Sequence, residues 1–148
     1  MAVRNDLTAE DLVAHFRTAW ALPKPEPFIA YFEPLLHPNV VMLQPTLPPA
    51  HGPAGFAASF RGLFGLIPDL TATVDTWADK GSSVFIASTA RGTLGGRPIG
   101  FEVCDRFELA DGLILRRQAF FDPAPLLRAA AVRPRAWRSA VALLTTRH

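Results

Sequence analysis

A carboxylate stands in the middle of an apolar alternation late in the chain. From Ile99 to Leu109 every odd-numbered residue is apolar except Asp105, whereas the even-numbered ones are glycine, cysteine or charged. Because side chains alternate across a strand, Asp105 is expected to point inward with its apolar neighbours. Burying an ionised carboxylate is costly unless it is paired, and in an apolar site its pKa rises instead. Asp105 is therefore the first candidate for acid/base chemistry, and a structural carboxylate bonded to Trp20 is the alternative.

Asp122 is a second carboxylate that a hairpin could bring to Asp105. Strand-like residues flank the dipeptide Asp111-Gly112, a common hairpin turn signal. A three-residue loop with a glycine bulge places Ala119 on the face of Asp105 and turns Asp122 away. A two-residue turn places Gln118 and Asp122 on that face, because a slip of one residue reverses every side chain. Asp122 is thus either a second acid/base group or, since a proline follows it, a turn or cap residue.

His51 is the third candidate for catalysis. It lies in the proline-rich loop 45–52, where it is either an acid/base group at the rim of a binding site or a structural loop residue. The remaining histidines show no spacing typical of metal ligands, so we expect no metal, and the chemistry would need no cofactor. These histidines are His15, His37 and His148.

The composition predicts a globular protein in a reducing compartment. The chain has 148 residues, 49% hydrophobic and 19% charged, which fits one domain. Its single cysteine, Cys104, cannot form an internal disulfide. No apolar run reaches the roughly 20 residues that span a bilayer, and the N-terminus lacks a signal peptide's apolar core. We therefore expect a cytoplasmic protein with no membrane partner.

Charge divides the chain into a domain and a tail. The net charge is only +2, but residues 128–148 contain arginines and no acid. This excess is a property of the tail and does not predict a nucleic-acid partner. We assign 1–127 to the domain and 128–148 to a basic helical tail.

Hydrophobic periodicity predicts helices first and strands afterwards. The predicted helices cover about 8–21, 28–32 or 28–36, 53–66 and 135–144. The predicted strands cover 40–44, 70–78, 83–94, 97–109 and 113–122. The last four strands are joined by tight turns, which favours an antiparallel meander and an α+β fold.

Three segments carry a resemblance to a known superfamily. They are LPPAHG at 47–52 with the helix FAASFRGLFGLIPD, the hairpin GFEVCDRFELADGLI, and RRQAFFD. Residues 8–127 resemble the nuclear transport factor 2-like superfamily, in its SnoaL-like, ketosteroid isomerase-like and limonene epoxide hydrolase-like branches. The resemblance implies a cone-shaped, curved antiparallel sheet that wraps around N-terminal helices and encloses an apolar cavity. It also favours Ala119 on the Asp105 face.

The isomerase branch assigns a role to Asp105. The resemblance matches it to a carboxylic acid that donates a hydrogen bond to the substrate oxygen. The family's phenol donor falls near Trp20. Its catalytic base falls at Leu43 or Gln44, neither of which accepts a proton at neutral pH.

The other branches retain fewer of their groups. Of the epoxide hydrolase Asp-Arg-Asp set only Asp122 remains, since Ser88 and Ala90 occupy the other positions. The water-positioning residues map near Met42 and Gln44. In the SnoaL-type cyclases the acid/base aspartate maps near Ala119, and a pocket histidine maps to Asp105.

These observations predict a protein that binds a small apolar, oxygen-bearing molecule, as an isomerase or cyclase acting through Asp105. The alternatives are an epoxide hydrolase or epoxide-opening cyclase using Asp105 and Asp122, and a non-catalytic binding or assembly module. The predicted ligand-contacting residues are Phe16, Trp20, Met42, Gln44, Phe60, Phe107, Ala119 and Phe121. The resemblance also implies a homodimer through the outer sheet face, where Glu102, Arg106 and Glu108 offer complementary charges.

Overall fold

The structure is a computed structural model that describes residues 6–131. Over this range the helices are α1 (Ala9–Ala21), α2 (Glu26–Phe32), α3 (Gly52–Leu66) and α4 (Ala124–Ala131), with a short 3-10 helix at Glu33–Leu35. The strands are β1 (Leu36–Leu43), β2 (Ala50–His51), β3 (Thr71–Lys80), β4 (Ser83–Leu94), β5 (Arg97–Ala110) and β6 (Leu113–Phe120). Three helices precede the long strands, which confirms the α+β prediction.

The first helix begins at a capping box. The backbone amide of Asp11 donates to Thr8 Oγ1 at 3.1 Å, and the Asp11 carboxylate accepts from the Thr8 amide at 3.2 Å. These bonds satisfy two amides that the first turn of a helix leaves without partners. The apolar side of α1 is buried through Leu12, Val13 and Phe16, as its helical spacing predicts.

The strands form one curved, open sheet in the order β2-β1-β6-β5-β4-β3 within the described chain. The meander from β3 to β6 is antiparallel, as predicted. Strand β1 precedes α3 in the chain and pairs with β6 in parallel, so the sheet is not antiparallel throughout. Because β6 lies between β1 and β5, its side chains can meet residues from both neighbours.

Strand β1 begins earlier than its apolar pattern predicts. It covers Leu36–Leu43, whereas the expected strand starts at Val40. The segment His37-Pro38-Asn39, whose residue types are common in turns, lies within the strand, and its pairing with β6 shifts register there. The Asn39 amide donates to His37 Nδ1 at 3.0 Å, a local bond that explains why turn-type residues fit the irregular part of this strand.

The register of the β5–β6 hairpin depends on a bulge as well as on the turn. Asp111 and Gly112 have φ values of 55° and 70°, and Ala110 pairs with Leu113, so the turn has two residues. Pairing then shifts between Glu108 and Leu109. This bulge returns Ala119 to a position opposite Asp105. The turn therefore has the shorter of the two predicted lengths. The face of Asp105 nevertheless carries Ala119, which was predicted for the longer loop.

An aromatic cluster occupies the inner face of the sheet beneath the helices. Phe28 lies at its centre, with ring centroids 4.8 Å from Phe60 and 5.1 Å from Phe64. Phe107 of β5 joins it through Phe16 of α1, at 6.2 Å. Each such pair contributes about 0.5–1.5 kcal/mol beyond its burial. The cluster therefore fixes the helices against the strand that carries Asp105.

The chain after Pro123 forms helix α4, which is not among the predicted helices. Asp122 Oδ1 accepts from the Ala124 amide at 2.9 Å, and the helix packs on β5 and β4 with Ala130 buried. Alanine and leucine favour a helix over residues 124–131, a propensity that our sequence reading overlooked. The helix predicted at 135–144 and most of the basic tail lie outside the described residues.

Candidate active site on the inner face

Asp105 lies in the middle of β5 with its side chain buried. It pairs with Ile86 of β4 on one side and with Ala119 of β6 on the other. Only 3% of its side chain is exposed. The alternation of β5 therefore places this carboxylate among apolar residues, where desolvation acts fully on its charge.

Arg117 of β6 is the partner of Asp105. Its Nε donates to Asp105 Oδ1 at 2.8 Å, and its Nη2 lies 2.7 Å from the same oxygen. Only 9% of the Arg117 side chain is exposed. Our sequence analysis missed this residue. The signal was available, because a register that puts Ala119 on the inner face puts Arg117, two residues earlier, there as well.

The guanidinium of Arg117 lies over an aromatic ring. Its Cζ atom lies 5.2 Å from the centroid of the Phe60 ring on α3, and the backbone partner of Arg117 on β1 is the apolar Met42. A desolvated cation over an aromatic face gains about 2 kcal/mol. We call Asp105, Arg117 and Phe60 the inner-face site.

Burial raises the pKa of Asp105, and the charge and hydrogen bond of Arg117 oppose that rise. Removing the carboxylate from water favours its neutral form, whereas the adjacent guanidinium favours the charged form. In the described chain, Arg117 is the charged side chain that acts on this group. The site therefore contains an acid of raised pKa next to a permanent cation.

Trp20 presents a buried hydrogen-bond donor to the same aromatic cluster. Its Nε1 is buried and has no hydrogen-bond partner. The alternative in which Asp105 bonds to Trp20 is therefore wrong, and the actual partner is Arg117. The indole ring lies 4.9 Å from Phe28, which in turn contacts Phe60. A buried N–H left without a partner costs about 1–3 kcal/mol, so a ligand oxygen here would recover that energy.

The predicted ligand-contacting residues lie in three places. One group is buried around the inner-face site and the aromatic cluster: Phe16, Met42, Phe60, Phe107 and Ala119. Gln44 is partly buried just beyond the end of β1. Phe121 is partly buried after β6, where its ring lies 5.5 Å from Phe101, so it does not join the aromatic cluster through a ring contact.

Two of the three catalytic candidates are exposed and separate from Asp105. Asp122 is exposed and accepts from the Ala124 amide at the start of α4, which fits the turn or cap role, the second of the two roles considered for it. The bulge in β6 is the physical reason, because it leaves Asp122 out of the face that Asp105 occupies. His51 is exposed on the edge strand β2, where it precedes α3 without a side-chain cap bond.

An open pocket lies elsewhere on the surface, with a volume of about 270 Å³. It is lined by the start of α1 and by the β3–β4 and β5–β6 turns, and it includes none of the predicted site residues. In residues 6–131, no three His, Cys, Asp or Glu side chains are grouped to hold a metal ion. Over the same residues, no helix is both long enough and apolar enough to cross a membrane.

The family of SnoaL-like domains matches residues 13–117. This range covers β1 to β5 and most of β6, including both members of the Asp105–Arg117 pair. The chain belongs to that family. The resemblance proposed from its loop, hairpin and final strand is therefore confirmed. Among curated protein sequences, none matches this chain.

Solved structures share the fold at low sequence identity. A candidate SnoaL-like polyketide cyclase from Jannaschia sp. CCS1 is 17% identical, with a TM-score of 0.76 over 90% of this chain and 99% of that one. IdmH, a candidate polyketide cyclase from Streptomyces antibioticus, is 20% identical, with a TM-score of 0.68 over 84% and 99%. An epoxide hydrolase from M. tuberculosis, similar to limonene epoxide hydrolase, is 20% identical, with a TM-score of 0.64 over 94% and 96%. These similarities establish a nuclear transport factor 2-like cone fold and leave the activity to the site.

Proposed function

We propose that this protein binds a small apolar, oxygen-bearing molecule in a cavity at the inner face and acts on it as a cofactor-independent isomerase or cyclase. The observation that supports this most is the buried pair of Asp105 and Arg117 beneath aromatic rings. An acid of raised pKa in an apolar site can take up a proton and donate it to a ligand oxygen.

Arg117 gives the acid a way to lose its proton without leaving an uncompensated buried charge. In a cyclisation, Asp105 donates its proton to the carbonyl oxygen while an enol carbon of the same molecule attacks the carbonyl carbon. The new carboxylate is held by Arg117. The enol hydroxyl then returns its proton to Asp105, so a carbon–carbon bond forms and the acid is regenerated.

Trp20 supplies a second group for positioning the ligand. Its unpartnered Nε1 can donate to an oxygen, and the surrounding rings would contact the apolar part of the molecule. An indole N–H is a donor only, so it would orient a carbonyl and carry no proton.

The epoxide hydrolase alternative has less support, because Asp122 is exposed and bonded to the start of α4. The reading as a binding or assembly module differs from the enzyme in one measurable property. An enzyme changes the ligand it binds, and Asp105→Asn should stop that change.

The test is a panel of ketones, enones and epoxides, followed for binding by tryptophan fluorescence and for turnover by mass spectrometry. We expect Asp105→Asn to retain binding and to lose turnover by about 100-fold or more, the usual contribution of a general acid. Asp122→Asn is the matched control and should change neither. Turnover that survives in Asp105→Asn would eliminate Asp105 as the acid, and binding without turnover in the wild type would favour the non-catalytic module.

We also propose a homodimer through the outer sheet face. Phe85 and Phe120 are 36% and 46% exposed, and Arg106 and Glu108 form an ion pair there. Strand pairing places Arg106 beside Phe85, so apolar and charged groups alternate on this face. Sedimentation should give a dimer for the wild type and a monomer for Phe120→Glu. A wild-type monomer at micromolar concentration would contradict the proposal.

We also propose a cytoplasmic location, and the chemistry of the Cys104 thiol supports it. The thiol is free and partly buried, and burial, together with the nearby Asp105 charge, raises its pKa. Such a thiol is a weak nucleophile and suits a structural position in a reducing compartment. Fractionation of cells that express the protein would test the location.

A further inference from the structure

Arg117 is a buried cation whose compensation rests on one oxygen atom. Both of its close contacts with Asp105 are made to Oδ1, at 2.8 and 2.7 Å. A guanidinium has five donors arranged for planar, two-point recognition of an anion. The Asp105–Arg117 pair thus uses only one of the two carboxylate oxygens, because both contacts are made to Oδ1 and neither to Oδ2.

Burial weakens Asp105 as a permanent partner for Arg117. Burial raises the pKa of the carboxyl group, whereas a guanidinium stays protonated at any pH of interest. A ligand that brings its own ionised oxygen can compensate Arg117 while Asp105 takes up a proton. The buried site would then hold one positive and one negative charge both before and after binding.

We propose that the ligand of the inner-face site carries an ionised oxygen, as an acidic enol or a carboxylate, and that this oxygen replaces the Asp105 carboxylate as the partner of Arg117. The inference rests on the proposed ligand-binding function and names the class of molecule. The Phe60 ring beside the guanidinium favours an ion whose charged oxygen is attached to a flat apolar group.

The groups around Asp105 make this exchange specific to Arg117. Ile86 of β4 and Ala119 of β6 pair with it and carry no charge, Phe60 adjoins the guanidinium, and the backbone partner of Arg117 on β1 is the uncharged Met42. The neighbouring thiol Cys104 alternates to the opposite face. Within residues 6–131 the proton that is taken up is therefore expected on Asp105 and on no other group of the site.

Matched pairs of neutral and ionised probes test the proposal. The first pair is benzoate and methyl benzoate, and the second is ionised dimedone and its methyl enol ether. We expect the ionised member of at least one pair to bind more tightly than the neutral member, and the pair that shows this identifies carboxylate or enolate. The benzoate or dimedone dissociation constant should rise with pH, by at most about tenfold per unit, because Asp105 must be protonated in the complex.

Three variants separate the contributions of the guanidinium, of its positive charge and of the Asp105 carboxylate to binding of the probe. Arg117→Met should weaken binding of the ionised probe by about tenfold to 100-fold, the loss that corresponds to one charge-assisted hydrogen bond. Arg117→Lys keeps the charge and should retain the preference for the ionised probe. Asp105→Asn removes the competing carboxylate, so it should bind the ionised probe at least as tightly as the wild type and without pH dependence.

The outcomes distinguish this proposal from the function on which it rests. If the neutral probes bind and the ionised ones bind more weakly, the anionic class is wrong and the ligand-binding function stands. If Asp105→Asn weakens binding of the ionised probe, the exchange of partners is wrong. If no member of either pair binds, the proposed ligand-binding function fails together with the inference.

Discussion

Nε of Arg117 donates to Oδ1 of Asp105 at 2.8 Å across the adjacent strands β6 and β5, and both side chains are buried. Their Cα atoms are not direct partners, because Asp105 pairs with Ala119 and Arg117 pairs with Phe107. The contact is thus diagonal on one face of the sheet. It depends on the bulge in β6, which sets the alignment of the two strands.

The first prediction concerns the stability of this pair. Asp105→Leu removes the oxygen that accepts from Arg117 Nε and leaves a buried donor unsatisfied, whereas Asn keeps an acceptor oxygen, so Asp105→Leu should lower the free energy of unfolding by about 1–3 kcal/mol. The double variant Asp105→Leu with Arg117→Met removes both charges and should recover most of that loss. Urea unfolding of the wild type, both single variants and the double variant measures the coupling. Additive single effects would show that the two side chains do not interact.

The second prediction concerns pH. The pKa of Asp105 is raised in the folded state above its unfolded value of about 3.9, so the native protein holds this proton to higher pH. Stability from this group is complete below about pH 3.9 and is lost as the pH rises through the native pKa. Asp105→Asn cannot ionise, so it should be at least as stable as the wild type at neutral pH. The gap between the two proteins should widen with rising pH and then level off.

Other carboxylates contribute with the opposite sign and serve as an internal control. Hydrogen bonds from Thr93 lower the pKa of Asp69, so its contribution is lost as the pH falls. Asp69→Asn should therefore be less stable than the wild type at neutral pH and should approach it in acid. Thermal unfolding of both variants from acid to neutral pH would reveal the two opposite slopes. Parallel curves for Asp69→Asn and Asp105→Asn would contradict the assignment.

The third prediction separates Asp122 from the site. Asp122→Ala removes the bond to the Ala124 amide and should destabilise the start of α4, at a cost of about 0.5–1.5 kcal/mol. Hydrogen exchange should speed up in α4 and stay unchanged at the centre of β5. Ligand binding at the inner face should not change. A loss of turnover with intact α4 would restore Asp122 as a catalytic residue.

The fourth prediction compares two glycines. A Cβ at Gly92 of β4 would lie 2.5 Å from Ile67 Cγ2 and 3.3 Å from Leu70 Cα, so Gly92→Ala should destabilise by about 1–3 kcal/mol. A Cβ at Gly62 of α3 meets nothing within 4 Å, and alanine favours a helix. Gly62→Ala should therefore stabilise by up to about 1 kcal/mol. Equal melting temperatures for the two variants would show that β4 does not pack on the segment from Ile67 to Leu70 as closely as the structure indicates.

The order of helices and strands could be predicted because each follows a local pattern. The first helix and the turn at Asp111-Gly112 depend on residues close in sequence, and each lies where predicted. The parallel pairing of β1 with β6 could not be read from either strand alone, because it joins residues far apart in the chain. Propensity and alternation describe local structure, so they carry little information about pairing between strands that are far apart in the chain.

The residues of the inner-face site divide in the same way, into those that a local pattern predicts and those that depend on long-range pairing. Asp105 could be predicted as buried because its own strand alternates, whereas its partner required the register of a second strand. The bulge that sets this register leaves no clear mark in the sequence around Leu115. Trp20 and Phe60 could be recognised as apolar, but their ring contacts depend on how α1 and α3 pack. Arg117 could therefore be assigned only through the register that places Ala119 on the face of Asp105.

The most direct test of the Asp105–Arg117 site is a carbon NMR titration of the Asp105 carboxyl group, with and without ionised dimedone or benzoate. We predict a midpoint above the reference of about 3.9 in the free protein and a higher midpoint in the complex, where the ligand replaces Asp105 as the partner of Arg117. A midpoint at or below the reference that the bound probe leaves unchanged would show a permanently ionised, structural carboxylate and would contradict the proposed site.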